Sequence, residues 1–148
     1  MRHLMLIMTV ILSGCAATYP IPEAGTEFTL DRCPPLLNCV SSESSLALYR
    51  VDPIQLTEPL NETNWQAIAA IASELPGANV TKSRFGYLRV TCYSTVFKFP
   101  DYLEILINED QTELAVRSQS QFGLYDLNVN RQRVGLLRNQ LMDRGLAE

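Results

Sequence analysis

The stretch "RSQSQFGLYDLNVNRQR", Arg117 to Arg133, gathers three arginines, two serines, one aspartate and two asparagines within seventeen residues. Such a set has three chemical uses. Arg117, Arg131 and Arg133 could hold an anion. Asp126, or Asp101 or Glu104 outside the run, could serve as a general base, and Ser120 could serve as a nucleophile if a base activated it. The inventory restricts that last use. His3 is the only histidine, and it precedes Cys15 in a segment expected to be removed. Without an imidazole, Ser-His-Asp and Cys-His activation, histidine-ligated zinc and a histidine pH switch are excluded. Lys82 and Lys98 are the only lysines, and neither has motif spacing to a serine. No pattern calls for a cofactor or a metal; "NEDQ" at Asn108 to Gln111 lacks a calcium-loop ligand pattern and reads as a hairpin turn.

The run joins an alternating segment to a helical one, so its chemistry depends on the start of a helix spanning about Val129 to Arg144. Arginines normally favour a helix C-terminus, because the N-terminal end carries the positive half of the macrodipole. Arg131 and Arg133 therefore need a negative partner, either Asp126 or an anion at the exposed amides. Asn130 and Arg133 are three apart and share a face, whereas Arg131 and Arg133 point in different directions. One reading has Ser118, Ser120, Asp126 and Asn130 tying strand to helix, with Arg117 or Arg133 paired to Asp126. The others make the cluster an anion site or an active site.

The supporting elements follow from periodicity. Trp65, Ile68, Ile71, Ala72 and Leu75 recur at helical spacing, with Thr63 or Asn64 as the expected cap and Pro76-Gly77 as the stop. "NVTKSRFGYLRVTCYS", "TVFKFPDYLEILI" and "TELAVRSQSQ" alternate, and their short connections favour antiparallel hairpins. Leu88, Val90, Cys92, Leu103, Ile105, Ile107, Leu114 and Val116 fall on one face, expected to be core. Tyr87, Arg89, Thr91, Tyr93, Glu104, Arg117, Gln119 and Gln121 fall on the other, expected to be wet. "YRVDPIQL" suits a short edge strand, because Pro53 cannot donate to an interior ladder. The last helix adds Val134, Leu137 and Leu141 to the core, with Gly145 beyond its end. The expected fold is a two-layer α+β domain, with an antiparallel sheet of about four or five strands covered on one face by two helices.

The N-terminus reads as an export signal. Arg2 and His3 precede the apolar run Leu4 to Leu12, which is too short for a permanent span of about 20 residues. "LSGC", Leu12 to Cys15, resembles the bacterial lipobox, which implies lipidation of Cys15. An ordinary cleavable signal or an uncleaved anchor are the alternatives. The expected organisation is a signal over 1–14, a lipidated tether over 15–31 and a single domain over 32–148, placed at the cell envelope by an acyl anchor. Ala16 after the cysteine implies the outer membrane if the cell is Gram-negative. Cys33 and Cys39, in "CPPLLNC", are expected to pair in such an oxidising compartment, the alternative being two free thiols in a loop, and "CPPLLNCVSSESS" reads as a turn-rich loop closed by that disulfide. Cys92, in an alternating strand, reads as a small core residue.

Charge argues against nucleic acid as a partner. From Cys15 onward the chain carries eleven Lys and Arg against sixteen Asp and Glu, and no basic stripe is interleaved with aromatics.

Three pieces in order resemble a bacterial and plastid family known as domain of unknown function 1499: "CPPLLNCVSS", "GYL" followed by "FKFPDYLE", and the opening run. The family pattern at the run is close to Arg-Ser-x-Ser-Arg-x-Gly-x-x-Asp-x-Gly-x-Asn-Arg-x-Arg. Arg117, Ser118, Ser120, Gly123, Asp126, Asn130, Arg131 and Arg133 match it. Gln121 stands where the pattern has arginine, Asn128 where it has glycine, and Tyr102 where a second aspartate follows Asp101. The resemblance implies no particular activity. The function expected from the whole sequence is a non-enzymatic envelope lipoprotein that binds or scaffolds an envelope partner or a small anionic ligand. The competing expectation is a small carboxylate-dependent hydrolase or transferase with an anion site at the start of the last helix.

Overall fold

The computed structural model describes residues 29–148. The expected signal and the lipidation site at Cys15 lie outside these residues. The elements run β1 (Cys39–Ser41), β2 (Ile54–Gln55), α1 (Glu62–Ser73), β3 (Ala78–Arg84), β4 (Tyr87–Tyr93), β5 (Pro100–Ile107), β6 (Glu113–Ser120) and α2 (Val129–Asp143). The sheet order is β1-β6-β5-β4-β3, and β2 also pairs with β6; all of these pairings are antiparallel. This is the two-layer α+β architecture expected from the sequence.

Each half of the core has a local cause. In α1 the apolar side chains at three- and four-residue spacing put Trp65, Ile68, Ile71 and Ala72 inside. The cap is Asn61, two or three residues earlier than the expected Thr63 or Asn64. Its side chain accepts from the Thr63 and Asn64 amides, while Asn64 reaches back to the Asn61 N–H, so both residues of a capping box are present. At the other end Gly77 takes φ +71° and accepts the Tyr93 amide, turning the chain directly into β3. Helix α1 packs over β3 and β4, α2 over β6 and β1, and the two helices touch. Between them and the sheet lie Leu88, Val90, Cys92, Leu103, Ile105, Ile107, Leu114 and Val116, as the alternation requires.

Two expectations are corrected. Residues 39–41, expected to be loop, form a strand that pairs with β6 in the register Cys39 with Gln119 and Ser41 with Arg117. Three residues after a proline pair carry too little periodicity to read as a strand. The second sheet face is also not wet at its centre: Tyr87, Thr91, Glu104, Arg117 and Gln119 are all buried. Leu30, from the segment read as tether, packs with Tyr87, Leu106 and Ala115 on this face, and the Arg32 carbonyl accepts from Arg117. Alternation sorts residues to two sides but says nothing about what covers the second.

The expected disulfide is present: Cys33 and Cys39 are bonded, with Cα atoms 5.7 Å apart. It holds the chain ahead of β1 against that strand.

Candidate functional site

The motif residues divide between the two sheet faces, because successive side chains of β6 point to opposite sides. Ser118 and Ser120 point toward α2, whereas Arg117 and Gln119 point to the second face. The run is therefore two polar clusters rather than one.

Under α2 the organising residue is Asn130. It sits one position into the helix on the buried face and is fully enclosed. Its Nδ2 donates to the Asn38 carbonyl, to Ser120 Oγ and to Asp126 Oδ2, at 3.0, 2.9 and 2.8 Å. Its Oδ1 accepts from Ser118 Oγ at 2.7 Å and from Arg133 at 2.6 Å. Arg133, one turn on, also reaches Ser118 Oγ at 2.9 Å and forms an ion pair with Asp101 on β5 at 2.6 Å. The expected pairing of Arg117 or Arg133 with Asp126 is thus replaced by Arg133 with Asp101 and Arg117 with Glu104.

Asp126 has another task. Its two carboxylate oxygens accept the backbone N–H groups of Asn128 and Asn130, at 3.0 and 2.9 Å, so it neutralises the amide end of α2. The residue at the formal cap, Asn128, makes no capping bond and instead takes the left-handed conformation at φ +64°. The family pattern places glycine there, which suits such a φ; asparagine is among the few other residues that adopt it readily.

Arg131 points away from Arg133, as their spacing requires, and donates to the Arg50 and Leu48 carbonyls at 2.7 and 3.1 Å. Arg138, two turns further, donates to the Pro53 and Asp52 carbonyls. Together they clamp the 48–53 loop onto α2. Arg138 was not anticipated, since nothing local in the sequence indicates carbonyls supplied by a distant loop.

On the second face Glu104 and Arg117 form an ion pair at 3.0 Å, with side chains only 1% and 3% exposed. Tyr87 donates its hydroxyl to Glu104 at 2.8 Å, and Arg117 also bonds Gln119. The two further departures from the family pattern touch each other, the Tyr102 hydroxyl donating to Gln121 Oε1 at 2.6 Å. A neutral hydrogen bond thus joins the positions where the pattern has an acid and a base.

Cys92 is buried beside the Arg133 and Asp101 pair and is opposite Asp101 in the β4–β5 register. Burial pushes its thiol pKa above the ordinary value; Arg133, close enough to hydrogen-bond the sulfur, pulls it down, and Asp101 adds to the rise. This is a protonated, enclosed thiol rather than an activated nucleophile.

Two hollows touch these groups from the outside: one of about 240 Å³ is lined by Pro76, Val129, Gln132, Leu136 and Arg133, whose guanidinium is already engaged by Asp101, Ser118 and Asn130. The other, of about 230 Å³ beside the start of α2, is lined in part by Asp126, Asn128 and Arg131. There the Asp126 carboxylate already occupies the amides an anion would use, and the Arg131 guanidinium is engaged by carbonyls. A cleft of about 410 Å³ lies between 30–33 and 41–49 and includes none of the motif side chains. Glu43 lines it, its pKa raised by burial and partly lowered again by the Leu30 amide it accepts. Among the described residues no three His, Cys, Asp or Glu side chains group as metal ligands, and no helix is long and apolar enough to cross a membrane.

These features define a small α+β domain whose signature residues bond its last strand, its last helix and the 38–53 region to one another. The family model described as "Protein of unknown function (DUF1499)" matches residues 29–141, and the chain belongs to that family. No curated protein matches the chain. No solved structure matches it.

Proposed function

We propose that the protein is a non-enzymatic envelope lipoprotein, anchored through Cys15, whose domain binds or scaffolds a partner. The observation that carries this reading is how the signature run is used. Arg117, Ser118, Ser120, Asp126, Asn130, Arg131 and Arg133 each bond to another part of the domain. An active-site base needs a free face toward substrate and, at neutral pH, a pKa brought near the working pH. Asp126 instead faces helix amides, and Asp101 and Glu104 each face an arginine. The anchor is supported by the apolar run ending in "LSGC".

The test has two arms. Asp126→Ala should lower stability by about 1 kcal/mol, as the loss of a helix cap does, with no effect on any reaction. Turnover of an envelope substrate that disappears in Asp126→Asn would overturn the non-enzymatic reading. Metabolic labelling with an acyl-chain analogue should tag the wild-type protein and not Cys15→Ser; label that persists in the variant would overturn the anchor.

A further inference from the structure

Exposed apolar side chains crowd one end of the molecule. Three loops build that end: 94–99 between β4 and β5, 121–128 between β6 and α2, and 34–38 ahead of β1. Backbone bonds join them, with the Pro100 carbonyl accepting the Gln121 amide and the Leu124 carbonyl accepting the Leu37 amide. Val96, Phe97 and Leu127 are 77%, 74% and 73% exposed, and Phe99, Phe122 and Leu124 accompany them. Phe97 stacks on Phe99 with centroids 5.5 Å apart, and Phe99 meets Phe122 at 5.8 Å, so the rings make one continuous surface. Contiguous patches of this kind on a soluble domain mark contact with another phase or molecule.

We infer that this end rests on a lipid surface, with Phe97, Phe99 and Leu127 entering the boundary between headgroups and acyl chains and Lys98 meeting anionic headgroups. The inference deepens the envelope-anchored reading above and rests on it for the presence of a bilayer nearby.

Charge selects lipid. Lys98 is exposed and is the only charged residue in 94–99. The sole charge in 121–128 is Asp126, whose carboxylate is bonded to the α2 amides, and 34–38 has none. The three loops therefore present apolar rings and one free cation. The chain as a whole carries a formal charge of −4, so an anionic surface repels the body while admitting this end. Reach is sufficient as well. Leu30 packs beside Tyr87, Leu106 and Ala115, at the opposite end of the sheet. The chain between Cys15 and Leu30 spans up to about 50 Å when extended, against about 26 Å for the length of β5.

The experiment uses the protein purified as the cell makes it, in vesicles of phosphatidylethanolamine and phosphatidylglycerol with or without brominated acyl chains. Phe97→Trp and Leu127→Trp place a reporter on the exposed end. Val80→Trp, on the outer strand β3, is the control, and the buried native Trp65 is the common background. Bromination should quench the reporters at 97 and 127 roughly twofold, as expected for side chains about 5–10 Å into the boundary, and leave the one at 80 unchanged. Lys98→Glu should weaken that quenching. Absence of quenching at both positions overturns the inference, as does a self-associated form in which Phe97→Ser with Phe99→Ser releases monomers and no reporter is quenched. Acyl labelling at Cys15 without quenching removes the inference and keeps the anchor; quenching without labelling does the reverse.

Discussion

Glu104 and Arg117 show what a single charge is worth inside this domain. The pair is almost completely enclosed, and Glu104 also holds the Tyr87 hydroxyl. In Glu104→Gln the Arg117 cation stays buried without its counter-charge, which should cost about 3 kcal/mol or more, measured by urea unfolding. Replacing both, as Glu104→Leu with Arg117→Met, should cost much less, because no charge is then stranded. Cys92 gives a pH-dependent counterpart. Its folded-state pKa is raised by burial, so unfolding releases a proton once the pH passes the ordinary thiol range. This contribution to stability is complete below the unfolded pKa and is lost as pH rises through the folded value. The melting temperature should therefore fall with alkaline pH more steeply in the wild type than in Cys92→Ala, and alkylation of Cys92 should require denaturant. The sequence correctly placed Cys92 in the core; it gave no sign that Arg133 and Asp101 would be its neighbours, since they come from a different strand and helix.

At the scale of elements, two glycines with opposite settings separate conformational need from simple space. A Cβ at Gly77 would lie 2.2 Å from the Tyr93 carbonyl oxygen, at a φ of +71° that side chains rarely adopt. Gly77→Ala should cost about 2 to 3 kcal/mol in chemical denaturation. Gly135 lies within α2, and a Cβ there meets nothing within 4 Å. Gly135→Ala should stabilise by about 0.5 to 1 kcal/mol, through helix propensity and a less flexible unfolded chain. Helices and hairpins were readable because local spacing dictates which side chains share a face. The cap of α1 was misplaced because Asn61, Thr63 and Asn64 are all competent, and only the entry path of the chain chooses among them. Strand β1 was missed because it exists through its pairing with β6.

For the whole molecule, the chain ahead of β1 is held in two ways, by the Cys33–Cys39 bond and by Leu30 packing on the second face. Closing a loop this short stabilises by about 2 kcal/mol in the chain-entropy model. Cys33→Ser with Cys39→Ser should therefore lower the unfolding free energy by about that amount while leaving the sheet and helices intact by circular dichroism. The sequence by itself determined the layer architecture, the inward face of each long strand, the cysteine pair and the need of Arg133 for a negative partner, because periodicity, helix polarity and covalent reach are local properties; the negative partner expected for Arg131 is replaced by neutral loop carbonyls. The tertiary structure alone decided who the partners are: Asp101 for Arg133, loop carbonyls for Arg131, and helix amides rather than an arginine for Asp126. It also decided that the second face is covered. Buried polar groups are satisfied by whatever donor or acceptor the fold brings within hydrogen-bond distance, and most of those groups here lie tens of residues away along the chain.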